Sequence, residues 1–374
     1  EYLKRGYSLN DRVGISYLEQ QYEDILRGKK ATYQMVNRYE LTLKEEAQRG
    51  KDIVLTIDIN LQQAVENILK EEIALAKTTP NTEFYNRSFV VVQDPNTGEI
   101  LAMSGKQLLN KNGTDEMRDY TPGVVTSPMT VGSVVKGASI LVGYNTGVIQ
   151  IGEYQVDECI KIMSTPLKCS WKTLGRINDI QALAMSSNIY QFKIAMKVGG
   201  ATYGYNQPLK IDPKAFQIYR DTYQQFGLGV KTGIDLPVES LGYKGTSTLP
   251  GHLLDFSMGQ YDTYTPIQLS QYISTIANGG SRLRPHLLKE VHKATSGSDL
   301  GPVIEEVKPE VLNTVETEEK FLNRVKEGFH AVTMASYGIG HNYIDNQYDP
   351  SGKTGTSESF MDRDGDGVID TETV

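Results

Sequence analysis

Three short groups of residues in this chain could do chemistry together. The first is Ser133-Val134-Val135-Lys136. On a helix, a spacing of three puts the lysine one turn from the serine on the same face, so the amine can reach the hydroxyl. The surrounding Val, Ile and Leu residues would desolvate the ammonium and lower its pKa, as a lysine needs if it is to take a proton. Alone the pattern says little: chance supplies about one or two S-x-x-K matches in such a chain, and a helix start with a snorkelling lysine is the plainer reading. The second group is Ser186-Ser187-Asn188, following the helical Ala182-Leu183-Ala184-Met185. A hydroxyl and a carboxamide two residues apart offer a proton relay and a donor and acceptor for a peptide amide. An isolated S-x-N is otherwise a polar helix end or turn. The third is Lys353-Thr354-Gly355-Thr356. On an edge strand it offers a cation and hydroxyls for a carboxylate, a glycine that lets a substrate backbone approach, and a free N–H; otherwise it is a solvated turn. A second Lys-Thr-Gly, Lys231-Thr232-Gly233, runs into Ile234-Asp235-Leu236-Pro237, without a fourth hydroxyl and with a proline unsuited to a paired strand. The later copy is therefore taken as the third group.

The elements that must position these groups are partly legible. Residues 1 to about 50 are rich in Tyr, Lys, Arg and Glu without sustained periodicity, and read as a small accessory region that cannot make a core alone. From Asp52 the pattern sharpens. Ile53 to Ile57 is a β-branched run, and Leu61, Val65, Ile68 and Leu69 mark one face of a helix. Ser88 to Gln93 and Glu99 to Met103 flank Asp94-Pro95-Asn96-Thr97-Gly98, a hairpin with Pro and Gly where a tight connection needs them. Val131 to Tyr144 is an apolar stretch, opened by Gly132, long enough to be a buried helix; Phe321, Val325, Phe329 and Val332 mark another amphipathic one. No internal repeat appears. The expected class is α+β, an antiparallel sheet covered by helices.

Composition narrows the function. The 374 residues allow one large domain or two modest ones, and two are expected. Hydrophobic and charged fractions of 39% and 22% are those of an ordinary globular protein, and no apolar run approaches the ~20 residues of a membrane span. The net charge is -8 with both signs interspersed, which argues against nucleic acid as a partner. The chain opens at Glu1 without an initiator Met and is expected to be a fragment, any signal peptide or anchor having been removed or not included. Cys159 and Cys169 lack metal-knuckle spacing and divide evenly between two buried thiols and a disulfide closing a short loop.

In the order S-x-x-K, S-x-N, K-T-G, the three groups resemble the motif set of penicillin-binding proteins and serine β-lactamases. Other stretches look like the class B transpeptidases: Gly14 to Glu19, Asp94 to Glu99, Phe226-Gly227-Leu228-Gly229, Thr265 to Leu269 and Ala277-Asn278-Gly279-Gly280. Gly132-Ser133-Val134-Val135-Lys136-Gly137 is most similar to the elongation-type enzymes of Gram-positive bacteria. Two positions depart: Val131 stands where the family often has Pro, and Tyr261 follows Gln260 where Gly is expected. The resemblance implies a penicillin-binding transpeptidase fold over 52–374, truncated at its C-terminal end, after a pedestal or dimerisation remnant over 1–51. It implies a D,D-transpeptidase that cross-links peptidoglycan stem peptides, serves cell-wall synthesis and cell shape, and is acylated by β-lactam antibiotics. Ser133 would be the nucleophile, Lys136 its base, Ser186 a proton shuttle, and Asn188, Lys353, Thr354, Gly355 and Thr356 the substrate-binding groups, with the N–H groups of Ser133 and Thr356 as oxyanion hole. No metal or organic cofactor is implied. The implied partners are the elongation or division machinery, and the implied location is the outer face of the cell membrane, through an anchor absent from this chain. A β-lactamase or D,D-carboxypeptidase shares the motifs but passes the acyl group to water, and a β-lactam sensor could keep them; the accessory region and the class B stretches count against both.

Asp362-Arg363-Asp364-Gly365-Asp366-Gly367-Val368-Ile369-Asp370 matches the first part of an EF-hand-type loop but lacks the carboxylate at position 12, which is Thr373. An acidic hairpin loop is the plainer reading, and weak structural calcium binding the alternative.

Overall fold

The structure, a computed structural model, describes residues 2–80, 82, 84–111, 114–361 and 371–373. The Asp362–Asp370 stretch lies outside the described residues. At the N-terminus, helices α1 (Tyr17–Gln21) and α2 (Glu23–Leu26) precede a hairpin of β1 (Thr32–Asn37) and β2 (Glu40–Glu45). Both strands are exposed along their whole length. With neither face buried there is no alternation of polar and apolar residues, so the sequence does not mark these strands. Tyr22 anchors the region: it packs with Leu288 and Val291, and its hydroxyl donates to Asp235.

The β-branched run forms β3 (Asp52–Leu55), shorter than the stretch to Ile57. Asp58 then caps α3 (Ile59–Ala76), its carboxylate accepting from the N–H groups of Asn60 and Leu61. The inward stripe of α3 runs through Val65, Leu69 and Ile73, so Ile68, expected on that face, is exposed. α3 packs on an antiparallel sheet of β4 (Arg87–Gln93), β5 (Ile100–Lys111) and β6 (Thr114–Asp119). The turn at 94–98 joins β4 to β5 as its Pro and Gly dictate, with Gly98 at φ +84. Helix α4 (Gly123–Thr126) leads to the apolar stretch at 131–144, which is not one helix: Gly132–Val135 winds as a 3-10 turn and α5 begins at Lys136 (Lys136–Asn145).

α5 is the axis of the core, buried from Lys136 through Tyr144. Around it, after the short pair β7 (Gln155–Asp157) and β8 (Gly175–Ile177), come α6 (Asp179–Ala184), α7 (Asn188–Val198), α8 (Lys214–Gln225), α9 (Pro250–Ser257) and α10 (Pro266–Ala277). Burying each large aliphatic side chain of this cluster stabilises by about 1.5–3 kcal/mol. Strands β9 (Ser281–Leu283), β10 (Leu288–His292), β11 (Val303–Glu306) and β12 (Val311–Thr314) follow: β10 pairs with β3 and β11, and β12 with β9, all antiparallel. α11 (Glu319–Met334) returns across α6 and α5 with Val325, Phe329 and Val332 inward. The described chain ends in a hairpin of β13 (Ser359–Met361) and β14 (Thr371–Thr373). The α+β expectation holds: antiparallel sheets are covered by helices. No helix among the described residues is long and apolar enough to cross a membrane.

Two expectations about local structure resolve. Cys159 and Cys169 are joined as a disulfide, closing the loop between β7 and β8. Lys353–Thr356, expected on an edge strand, makes no ladder among the described residues, for the pairing of β13 begins only at Ser359. Contacts of another kind hold the segment: Gly352 N–H donates to Phe329 O, and Gly355 lies against Val131 and Val134.

Candidate active site

Ser133 stands in the 3-10 turn just before α5, partly exposed. Gly132 makes that turn possible with φ +55, and its N–H donates to Gly259 O at 3.0 Å. A Cβ on Gly132 would lie 2.1 Å from Thr356 O, and one on Gly355 would lie 2.4 Å from Val134 Cγ2 and 2.7 Å from Val131 O. The serine turn and the Lys-Thr-Gly segment therefore meet backbone to backbone, with no room for a side chain between them. Tyr261, the residue that departs from the family pattern, stacks on His252 and donates its hydroxyl to Ser247 O.

Lys136, at the first turn of α5, is fully buried. Its Nζ donates to Asn188 Oδ1 at 2.6 Å and Ser186 O at 2.8 Å, and stands 3.3 Å from Ser186 Oγ. The hydrogen bonds of the Lys136 ammonium all go to the S-x-N turn, and none of them is to Ser133. Burial pushes the Lys136 pKa well below the usual lysine range, the neighbouring Lys353 adds to that, and Asp157 opposes it. Lys353 Nζ donates to Ser186 Oγ and to Thr354 O, both at 2.8 Å, and burial brings its pKa down to about 7. Two lysines from opposite ends of the domain share one serine hydroxyl.

The S-x-N turn is built to hold that hydroxyl. Asn178 closes a capping box with Gln181 at the start of α6, and Ser187 Oγ caps α7 by accepting from Tyr190 N–H at 2.9 Å. Between the two helices Ser186 takes φ +53, a left-handed conformation costly for a residue with a side chain. Asn188 Nδ2 donates to Cys169 O at 3.2 Å, so the disulfide-closed loop holds the other end of the carboxamide.

A cavity of about 700 Å³ opens over these groups, and Ser133, Ser186, Asn188, Thr354 and Thr356 line it. Lys136, Lys353 and Gly355 do not: both lysines contact Ser186 Oγ, which does, and Gly355 packs on Val131 and Val134. Trp171, Tyr337 and Tyr343, which sequence reasoning did not single out, form much of the remaining wall with Gln260, noted in the sequence only as the residue before Tyr261. Only Trp171 carried a signal, as the chain's one tryptophan two residues after a cysteine. The earlier Lys-Thr-Gly is elsewhere, its Thr232 buried and hydrogen-bonded to Glu239. A larger hollow, about 1160 Å³, lies among residues 6–47 and contains no motif residue.

Residues 88–372 match the penicillin-binding protein transpeptidase domain, and residues 1–55 the penicillin-binding protein dimerisation domain. Penicillin-binding protein 2A of Bacillus subtilis (strain 168) is 47% identical over 367 residues, which are 96% of this chain and 51% of that protein. The peptidoglycan D,D-transpeptidase MrdA of Escherichia coli (strain K12) is 27% identical over 395 residues, 95% of this chain and 56% of that one. The solved structure of penicillin-binding protein 2B from Streptococcus pneumoniae (strain R6) superposes with a TM-score of 0.88 at 33% identity, over 98% of this chain and 61% of the other. The chain thus spans about half the length of the curated relatives it matches. With the transpeptidase model matching well over half its residues, and with those motifs meeting at one cavity, the chain belongs to the penicillin-binding protein transpeptidases, of class B.

Proposed function

We propose that this chain carries the catalytic domain of a peptidoglycan D,D-transpeptidase working through a serine acyl-enzyme. The observation that carries the reading is the meeting of three sequence-distant segments, around Ser133, Ser186 and Lys353, at one cavity, with a buried and a half-buried lysine on a single hydroxyl. Ser133 Oγ attacks the carbonyl carbon of the penultimate D-alanine while its proton passes to neutral Lys136. The N–H groups of Ser133 and Thr356 receive the oxyanion, a kind of contact whose loss costs roughly 3 kcal/mol. Collapse breaks the amide C–N bond, and Ser186 returns a proton to the departing D-alanine nitrogen. The amine of a second stem peptide then attacks the ester and frees Ser133. Asn188 holds the substrate amide, and Lys353, Thr354 and Thr356 face its carboxylate, with Gly355 allowing the approach. β-Lactams acylate the same Ser133 and stay, because the trapped ester resists hydrolysis.

In the same reading residues 1–51 belong to an N-terminal pedestal and 52–374 to the transpeptidase domain, a division supported by the two family matches at 1–55 and 88–372. The protein would act on the outer face of the bacterial membrane beside cell-wall elongation or division proteins. Intact-mass measurement after exposure to penicillin tests the chemistry. One adduct per chain, mapped to Ser133 and absent from Ser133→Ala, is expected; an adduct persisting in that variant refutes the assignment. Rapid hydrolytic turnover of penicillin would instead favour a β-lactamase.

A further inference from the structure

Asp157, the last residue of β7, is 3% exposed, and its place in the site is not accounted for by the three motifs. One oxygen, Oδ2, accepts two hydrogen bonds, from Ser170 Oγ at 2.7 Å and from Ser187 Oγ at 2.5 Å. Neither hydroxyl has another use for its hydrogen. Ser170 Oγ accepts from the N–H groups of Asn188 at 3.0 Å and Ile189 at 3.3 Å, while Ser187 Oγ accepts from Tyr190 N–H at 2.9 Å. The first N–H groups of α7 are thus satisfied by two hydroxyls, and each hydroxyl must donate to something that only accepts. An ionised carboxylate is such a group. The disulfide joins the same ring of contacts, since Cys159 lies two residues after Asp157 and Cys169 immediately precedes Ser170.

We propose that Asp157 is a positioning residue for acyl transfer at Ser133: it accepts hydrogen bonds from the Ser170 and Ser187 hydroxyls and so fixes the turn that presents Ser186 and Asn188 to Lys136. The assignment rests on the transpeptidase reading and deepens it. Asp157 does not itself line the cavity; it acts through the two serines, of which Ser170 forms part of the cavity wall, and through its charge. The charged groups acting on the buried Lys136 amine are Lys353, from the segment after α11, and Asp157, from β7. They pull in opposite senses: Lys353 disfavours the ammonium, and Asp157 stabilises it. Acylation needs the neutral amine, so its rate rises with pH as Lys136 loses its proton. Removing the negative charge makes that proton easier to lose, and the rising limb moves to lower pH.

The test is the pH profile of acylation by a fluorescent penicillin from pH 5 to 10, in wild type, Asp157→Asn and Ser170→Ala. Asp157→Asn keeps an oxygen able to accept from both serines but drops the charge. Its rising limb is expected to move down by roughly 0.5–1 pH unit. Ser170→Ala keeps the charge and breaks the positioning contact, so its plateau is expected to fall about tenfold with the limb unmoved. A structural residue alone would lower both profiles without shifting either. An unmoved limb in Asp157→Asn, or a wild-type plateau in Ser170→Ala, overturns the inference. If the wild-type protein is not acylated at all, the transpeptidase reading fails, and crystal structures then decide on Asp157. Asn188 Oδ1 displaced from its 2.6 Å contact with Lys136 Nζ in Asp157→Leu or Ser170→Ala supports positioning, and an unmoved Asn188 overturns it.

Discussion

Replacing Gly132 with alanine tests whether the close backbone contact at the cavity governs reaction rate or only stability. A Cβ there would lie 2.1 Å from Thr356 O and 2.7 Å from Thr356 C. Both partners are backbone, so no side-chain rotation relieves the overlap, and the Lys-Thr-Gly segment must retreat by about 1 Å or more to regain an ordinary contact of ~3.5 Å. That retreat separates Ser133 N–H from Thr356 N–H, the two proposed oxyanion donors. A misplacement of about 1 Å costs on the order of 100-fold in rate. The left-handed backbone adds about 1–2 kcal/mol to the folding cost, a fall of only a few degrees in melting temperature for a chain of this size. Gly147→Ala separates the two effects. Gly147 sits just past α5 at φ +71 with nothing within 4 Å of its Cβ position, so it carries the backbone cost without the collision. The assay pairs second-order acylation rates for a fluorescent penicillin with calorimetric melting. Gly132→Ala is expected to acylate about 100-fold more slowly, Gly147→Ala at the wild-type rate, and the two to melt within a few degrees of each other. Wild-type acylation by Gly132→Ala would refute the reasoning.

Because burial holds the Lys353 pKa at about 7, the free protein loses that cation as pH rises. Affinity for a carboxylate-bearing β-lactam is expected to weaken by up to about tenfold per pH unit above it, a dependence that Lys353→Ala flattens and the exposed Lys231→Ala leaves intact; titration of the noncovalent complex with Ser133→Ala measures it. Reducing the Cys159–Cys169 bridge, which closes a span of 10 residues, is expected to cost about 3 kcal/mol and to slow acylation as Cys169 O loosens its hold on Asn188; an unchanged melt and rate in the double Cys→Ser variant would contradict this. Asp179 is 1% exposed and accepts from Arg324 Nε and Nη2, Gly152 N–H and the Tyr144 hydroxyl. Asp179→Ala, leaving those donors unpaired, is expected to cost about 3–5 kcal/mol in denaturant melts. Burial works to raise the Asp179 pKa, but the Arg324 and Tyr144 hydrogen bonds hold it below the usual value, so its contribution is present above the unfolded carboxylate pKa and is lost as pH falls through the folded one.

What could be read in the sequence divides by the distance over which each signal acts. Ser133 and Lys136 announce themselves because their spacing matches one helical turn, and the 94–98 turn because Pro and Gly fix its backbone locally. β6 was missed although Asn112-Gly113, a strong hairpin signal, directly precedes it, because its own residues show no apolar alternation; β1 and β2 escaped because neither buries a face. Lys353 was found through its order among the motifs, yet its surroundings were misread: an edge strand was expected, whereas the segment is held by the Gly132 turn and by Ser186. Asp157 was invisible, since a lone aspartate in a three-residue strand has no spacing to betray it. Its role depends on two serines 13 and 30 residues away.

The contacts at Ser186 also limit how many protons the site can hold when it reacts. An ammonium has three hydrogens, and Lys136 Nζ has three oxygens around it at 2.6, 2.8 and 3.3 Å, all from the S-x-N turn. In that state nothing remains to accept the proton of Ser133. After one proton leaves, two hydrogens still serve Ser186 O and Asn188 Oδ1, and a lone pair is free to face Ser133 or the Ser186 hydroxyl. Ser186 Oγ meanwhile accepts from Lys353 Nζ at 2.8 Å and keeps its own hydrogen to give away. Two ammonium groups on one hydroxyl, one buried and one half-buried, repel each other, so the lysines titrate as a pair that favours a single charge. Under the proposed chemistry a substrate carboxylate arriving at Thr354 and Thr356 would draw that charge to Lys353. Lys136 would then be neutral when the carbonyl reaches Ser133, so that binding the substrate itself prepares the base.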